Sequence, residues 1–344
     1  MIKSHQNSSI EEVQTDAAKR RASGEFVRGV SGFRHAIGDP DFLPEENRYH
    51  LFVAFNCPWC HRATLARNIL GLQSSITMDV AFPSRTETDD SAGPNLWQFA
   101  PERISIATGS PLPECTSETA TDKSYRLIKE IYAAEGSAEQ SVPILYDKKE
   151  KRIVNNESAE IIRMLDANAR KLGANMTENM HLYPEDETVQ NEIDILNKTI
   201  YTTINNGAYK AGFSSDQQIY ATAFHDYFQT LRELEKKLAG DDRPFLTGDN
   251  FTEADLRLFP TLYRHDPVYY LRMKLNGAKI LDYPHLWRWL CRVYALPGVA
   301  ESNALTHCKQ GYFGRTWNKT IPAGPIKPMP YPLAYKHPEL STKR

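Results

Sequence analysis

What the chain has little of narrows the field first. None of its apolar runs approaches the roughly 20 consecutive residues that carry a helix across a bilayer. The N-terminal residues hold no apolar core of the kind a secretion signal needs, and Glu11, Glu12 and Asp16 argue against an organellar address. Neither sign of charge dominates. Lys plus Arg is 41 against Asp plus Glu 43, and a net charge of -2 gives no long-range field to gather DNA, RNA or anionic lipid. Cysteine is scarce: Cys57, Cys60, Cys115, Cys291 and Cys308 are too scattered for a secreted disulfide scaffold. The expectation is a soluble, cytoplasmic protein that binds neither nucleic acid nor membrane and works on a small molecule.

Two of those cysteines stand three positions apart, within RYHLFVAFNCPWCHR at Arg48 to Arg62. The apolar run Leu51 to Phe55 reads as a strand, Asn56 as its end, and Trp59 to Leu70 as a helix. Pro58 suits a first helical position, where its missing N–H would have had no partner. The unpaired N–H groups and positive dipole of that helix start favour a thiolate at Cys57, and Cys60 lies within reach of a mixed disulfide there. A zinc half-site or two inert buried thiols are the alternatives. Zinc would need a second ligand pair, and His307 with Cys308 is the nearest approach to one.

Taken in order, residues 1 to about 22 read as a polar arm, and Gly24 to Asn47 as an ordered lead-in that packs over the core or covers the site. A second strand is expected over Ser75 to Phe82, so the chain opens as an α/β unit. Ser84 to Glu118 reads as a long functional loop with Trp97 embedded, and Thr121 to Glu135 as a helix. Ser141 to Tyr146 and Arg152 to Val154 read as strands, with Pro143 requiring an edge, a bulge or a cis bond. From 189 onward the pattern is helical, with segments near 189–208, 216–239, 253–275 and 284–296. The expected architecture is α/β plus all-α. Its parts are an arm and lead-in at 1–46, an α/β domain at 47–171, a helical domain at 184–313 and a Pro-rich tail at 314–344.

The second constellation is Ser141, Val142 and Pro143 with Glu157 and Ser158. A cis proline at a strand start exposes the backbone of Val142 to an extended ligand, and Glu157 and Ser158 at a helix start can hold an amino group and a carboxylate. A plain turn and an ordinary cap are the alternatives. Among the remaining candidates, Thr252, Glu253 and Asp255 read as a helix cap and a folding signal rather than chemistry. Trp287, Trp289 and Tyr294 read as core. His61 and Arg62 either tune the thiolate or, for Arg62, pair with an acid. Tyr209, after the helix-poor run Asn205, Asn206 and Gly207, is kept either for a contact or as a core tyrosine.

With these motifs in hand, the chain resembles the glutathione transferase superfamily, and more narrowly the xi class, the glutathionyl-hydroquinone reductases. The resemblance is carried by RYHLFVAFNCPWCHRA, VPIL, IVNNESAEIIRML, YTTINNGAYKAGF, FTEADLRLFPTLYRHDPVYY and DYPHLWRWLCRVYALPGVAES. It implies a thioredoxin-like N-terminal domain, an all-helical C-terminal domain, a homodimer and glutathione as cosubstrate, with no metal. By the same resemblance Cys57 is the catalytic cysteine and Tyr209 the proton donor. Trp97, Val142, Pro143, Glu157 and Ser158 contact glutathione, and Tyr269 and Tyr312 line the second-substrate side. The implied reaction removes glutathione from S-glutathionyl-hydroquinones through a Cys57-glutathione mixed disulfide. The alternatives are a dithiol glutaredoxin-like oxidoreductase or dehydroascorbate reductase using Cys60 as resolving thiol, and a binding module without catalysis. Two departures stand out: Cys60 replaces the alanine of most relatives, and Glu139, Gln140 and Ser141 stand where relatives commonly have a basic residue and a threonine.

Overall fold

In a computed structural model, which describes residues 22–87, 90–93, 95–99, 125–175, 180–240, 243–314 and 320–324, the apolar run after Arg48 becomes β1, Tyr49–Val53. All five of its residues are buried, as a strand covered on both faces requires. β1 pairs in parallel with β2, Thr77–Val80, and antiparallel with β3, Ile144–Asp147, which pairs antiparallel with β4, Arg152–Asn155. The spatial order is β2-β1-β3-β4. A parallel pair needs a crossover, and α1, Pro58–Ile69, supplies it. Gly71, at φ +66 with the Asn175 backbone against its α-carbon, ends that excursion where a side chain would not fit. α2, Ile128–Ala133, buries Ile128, Ile131 and Tyr132, and α3, Ser158–Asn168, packs beside α1. The arm at 1–21, Cys115, Thr121 to Ser124 of the expected helix and the tail beyond Gly324 lie outside the described residues.

The second half is helical, and it departs from the sequence pattern in three places, two π turns and one additional helix. The segment expected at 189–208 is α4, Glu187–Thr199, then a π-helical turn, Ile200–Asn205, then α5, Asn206–Phe213. The segment expected at 253–275 is α7, Glu253–Arg264, a π-helical turn, His265–Tyr269, and a short α8, Tyr270–Arg272. A π turn absorbs one extra residue and rotates the helix beyond it. At the first turn the rotation serves Asn205, whose amide donates to the Arg257 carbonyl at 3.1 Å and to Thr261 Oγ1 at 2.8 Å. At the second, Pro267 has no N–H to continue an α-helix. Between them runs α6, Gln217–Gly240; α9, Pro284–Tyr294, comes after the second turn, and α10, Leu305–Phe313, is a helix the periodicity did not mark.

The cap signal at α7 holds. Thr252 caps the helix, and the Asp255 carboxylate accepts the Thr252 N–H at 3.0 Å, the Leu246 N–H at 2.9 Å and the Trp289 indole N–H at 2.8 Å. Trp287 and Trp289 are buried core, and Tyr294 packs partly buried against it with its ring stacked on Tyr263.

Candidate active site

Cys57 occupies the N-cap of α1 in an extended conformation, φ -82 and ψ 123, with its N–H bonded to the Ala54 carbonyl at 2.9 Å. It is half-buried, and every residue from Pro58 to Ala66 is buried behind it. Cys60, one turn on, is fully buried; its sulfur accepts the Ala54 N–H at 3.3 Å and its thiol bonds to Cys57. Burial works against a thiolate at Cys57. The Cys60 thiol, the N–H groups of Cys60 and Trp59, and the Arg28 guanidinium outweigh it and bring the Cys57 pKa from 9.0 down to about 6. Burial and the Cys57 sulfur push the Cys60 thiol up. One sulfur is therefore ionised near neutrality and the other keeps its proton.

A buried polar frame locks this helix end to the helical half. Arg264, the last residue of α7, donates to the Phe55 carbonyl at 2.8 Å, to the Pro260 carbonyl at 2.8 Å and to His61 Nδ1 at 2.8 Å. Burial and the Arg264 charge hold His61 well below the ordinary histidine pKa, so it is a neutral spacer whose Nε2 meets Ser302 Oγ at 3.1 Å. Arg62 lies over the Trp59 ring and donates to the Asn205 amide oxygen at 2.5 Å. Gly311 of α10 sits so close to Asn56 that a β-carbon there would overlap its side chain. The pair His307 and Cys308 does not extend the thiols into a metal site: Cys308 donates to the Phe55 carbonyl at 3.7 Å and His307 packs on the Phe55 ring. Among the described residues no group of three His, Cys, Asp or Glu side chains could hold a metal ion.

In front of Cys57 opens a cleft of about 830 Å³ whose lining includes Cys57, Trp97, Val142, Tyr209 and Tyr312. The Val142 carbonyl stands 3.9 Å from the Cys57 sulfur, and the Val142–Pro143 bond is cis. Trp97 is held by its carbonyl, which accepts the Ile128 N–H at 3.1 Å, and by Arg85, 3.7 Å from its ring centroid. Tyr209 Oη lies 2.6 Å from Tyr312 Oη, which lies 3.2 Å from Tyr269 Oη. Burial and the nearby Cys57 push Tyr209 up to about 12.

Five expected site residues are not on the cleft wall: Cys60, Pro143, Glu157, Ser158 and Tyr269. Tyr269 is fully buried and stands one hydrogen bond behind the wall, through Tyr312, because the π turn packs it inward. Ser158 is fully buried, and Glu157, the N-cap of α3, accepts the Ala159 N–H at 3.1 Å and the Ser31 hydroxyl at 3.2 Å. Ser31 belongs to the lead-in, which crosses the cleft mouth. It is tied to the helical half by Phe26 N–H on Ser214 Oγ at 3.1 Å, and to the sheet half by Gly32 N–H on Glu139 Oε1 at 3.1 Å. Glu139, one of the departures from the family pattern, is thus a structural tie that also accepts from the Asn156 amide at 2.6 Å.

Sequence reading missed Phe26, Arg28, Asn56 and Gly311. All four line the cleft, and none carried a signal of its own: Gly311 lies in a helix that the periodicity did not mark.

Residues 56–168 match the family model for the glutathione S-transferase N-terminal domain, and residues 217–292 that for the C-terminal domain. The chain is 37% identical over 317 residues to the glutathionyl-hydroquinone reductase PcpF of Sphingobium chlorophenolicum, covering 90% of this chain and 93% of that protein. Among solved structures, it is similar to the glutathione-bound glutathione transferase homolog YqjG of Escherichia coli K-12, with a TM-score of 0.76, 34% identity and coverage of 91% and 97%. It is likewise similar to the glutathione S-transferase Xi of Phanerochaete chrysosporium, with a TM-score of 0.77, 35% identity and coverage of 91% and 96%.

Proposed function

The chain belongs to the glutathione transferase family, among the glutathionyl-hydroquinone reductases of the Xi class, and on that premise we propose that it removes glutathione from S-glutathionyl-hydroquinones. One observation carries the reading: a thiol held down to about 6 and a tyrosine pushed up to about 12 line the same cleft. The nucleophile is ionised and the acid protonated at the same pH.

The Cys57 thiolate attacks the glutathionyl sulfur while the ring carbon takes the proton of Tyr209. The C–S bond breaks, its electron pair becomes the new C–H bond, and hydroquinone leaves a Cys57-glutathione mixed disulfide. A second glutathione gives its proton to Tyr209 and attacks that disulfide, producing oxidised glutathione and restoring the Cys57 thiolate. Trp97 covers the glutathione, and Val142 and Pro143 offer their backbone to its cysteinyl part. Glu157 and Ser158 take the γ-glutamyl group, whose ammonium replaces the Ser31 hydroxyl on Glu157. Tyr312 faces the ring directly and Tyr269 supports it from behind. Thiol transfer and dehydroascorbate reduction use the same sulfur without the ring step.

The contact between Cys60 and Cys57 supports a second reading, a dithiol exchanger in which Cys60 resolves the mixed disulfide. Turnover of a glutathionyl-hydroquinone with excess glutathione separates the two. Release that follows ping-pong kinetics, disappears in Cys57→Ala and persists in Cys60→Ala supports the reductase. Disulfide reduction that needs both cysteines, without hydroquinone release, supports the exchanger. We further propose domain limits at 47–171 and 184–313, read from the interrupted sequence pattern between them, a cytoplasmic location, read from composition, and a homodimer, read from the family resemblance; limited proteolysis, fractionation and sedimentation test them in turn.

A further inference from the structure

One part of the cleft wall is an aromatic end, formed by Phe26, Trp59, Tyr209 and Phe213, with the Phe26, Phe213 and Trp59 ring centroids 5.7, 5.5 and 6.3 Å from that of Tyr209. Two guanidinium groups reach into the aromatic end. Arg28 of the lead-in lies over the Trp59 ring, 3.5 Å from its centroid. Arg272, at the end of α8, donates through Nε to the Tyr312 carbonyl at 3.1 Å and lies 5.6 Å from the Phe213 centroid.

Among the described residues, neither guanidinium pairs with a carboxylate. The carboxylate on the cleft wall is that of Glu139, and it is engaged by Gly32 and Asn156. Arg28 has a partial answer in the Cys57 thiolate, whose charge it favours; Arg272 has none. A stacked guanidinium keeps its in-plane N–H groups free, and a guanidinium bonded through Nε keeps its terminal nitrogens, so both still have donors for a planar anion. Unanswered positive charge against an apolar wall attracts an anion more strongly than it would in open water.

Resting on the reductase function, we propose that the aromatic end of the cleft selects hydroquinones whose ring carries an anionic substituent, a carboxylate above all, read by the Arg272 and Arg28 guanidinium groups that line the cleft. The glycyl carboxylate of the glutathionyl group is the other source of the same chemistry. The reducing glutathione carries that carboxylate but no ring, so its KM separates the two sources.

Two arms test the proposal with the full chain. In the first, binding of 2,5-dihydroxybenzoate and of unsubstituted hydroquinone is followed by quenching of tryptophan fluorescence in wild type, Arg272→Met and Arg272→Lys. The carboxylated ring should bind roughly tenfold more tightly to wild type, lose that preference in Arg272→Met and with added salt, and keep part of it in Arg272→Lys. In the second arm, kcat/KM is measured for the glutathionyl conjugates of the same two rings, together with the KM for the reducing glutathione. The ratio between the conjugates should fall roughly tenfold in Arg272→Met. Equal binding of the two rings to wild type would overturn the proposal. So would an Arg272→Met defect that weakens both conjugates and the reducing glutathione alike, since that assigns the arginine to glutathione. Loss of turnover for both conjugates with the binding preference intact would instead overturn the reductase reading and leave the anion selectivity standing.

Discussion

α1 and α7 both begin with N–H groups that their own helices cannot satisfy. At α7 the protein closes the matter internally: Thr252 and Asp255 take those donors, with Leu246 and Trp289 completing the carboxylate's partners. At α1 no acid stands in the first turn, Pro58 deletes one N–H, and the N–H groups of Trp59 and Cys60 face a sulfur instead. Burial opposes charge at both sites, yet Asp255 is pushed up to about 6 while Cys57 is brought down to about 6. Asp255 is sealed, whereas Cys57 opens on a cleft and has the Cys60 thiol and the Arg28 guanidinium beside it. One helix start is finished for stability; the other leaves an anion open to the cleft.

The largest test of that contrast is Cys57→Ala. Hydroquinone release should fall by about three orders of magnitude or more, since the covalent step has no substitute. Stability in chemical denaturation should change by about 1 kcal/mol at most, because the half-buried sulfur opens on the cleft, where water replaces it at the helix N–H groups. A Cys57→Ala protein that unfolds would erase the distinction between the two helix starts. Asp255→Ala should do the reverse. It strands three buried donors, at about 1–3 kcal/mol each, so stability should fall by about 3 kcal/mol or more in chemical denaturation, while the folded fraction keeps its turnover per site. The sign of the pH dependence is set by a carboxylate whose folded pKa lies above its ordinary 3.8. Its contribution is fully present below about 3.8 and is lost as pH rises through about 6. Measured against Asp255→Asn, wild-type stability should therefore decline across that interval.

Tyr209→Phe sharpens the functional side. The phenol is asked for one proton at the ring carbon, so release should drop by about 100-fold, while exchange between the Cys57 mixed disulfide and glutathione should proceed near the wild-type rate. Equal losses in both steps would make Tyr209 a packing residue held by Tyr312.

The legible parts of this protein are those where a local rule acts alone. Pro58 after Cys57, Asp255 after Thr252 and the buried run of β1 each announce their structure within a few residues. The cleft is different. Phe26 and Arg28 reach it because Gly24 and Phe26 are bonded to Ser215 and Ser214 far along the chain, and nothing in their own segment has a period. The π turns escaped because a helical pattern does not reveal one inserted residue; at the first, Asn205 meets Arg257 and Thr261 on another helix, and at the second the missing N–H of Pro267 acts together with the bond between His265 and Tyr227. Tyr269 was placed on the cleft wall by resemblance and stands behind it for the same reason.

Cys60→Ala carries the smallest expected effect and the finest distinction. If Cys60 serves by donating its thiol hydrogen to the Cys57 sulfur, removing it weakens the thiolate by one charge-assisted hydrogen bond. The midpoint of the pH–rate profile should then move upward by about one pH unit. At about pH 9, where the Cys57 thiolate forms without help, the variant and wild type should release hydroquinone at similar rates, and Cys60→Ser, which keeps a donor, should lie close to wild type throughout. A resolving thiol behaves otherwise: disulfide reduction would be lost at every pH in both variants, because neither alanine nor serine can attack a mixed disulfide. A rise in rate with pH toward the wild-type value therefore assigns Cys60 to the positioning of charge, and a flat loss assigns it to the chemistry itself.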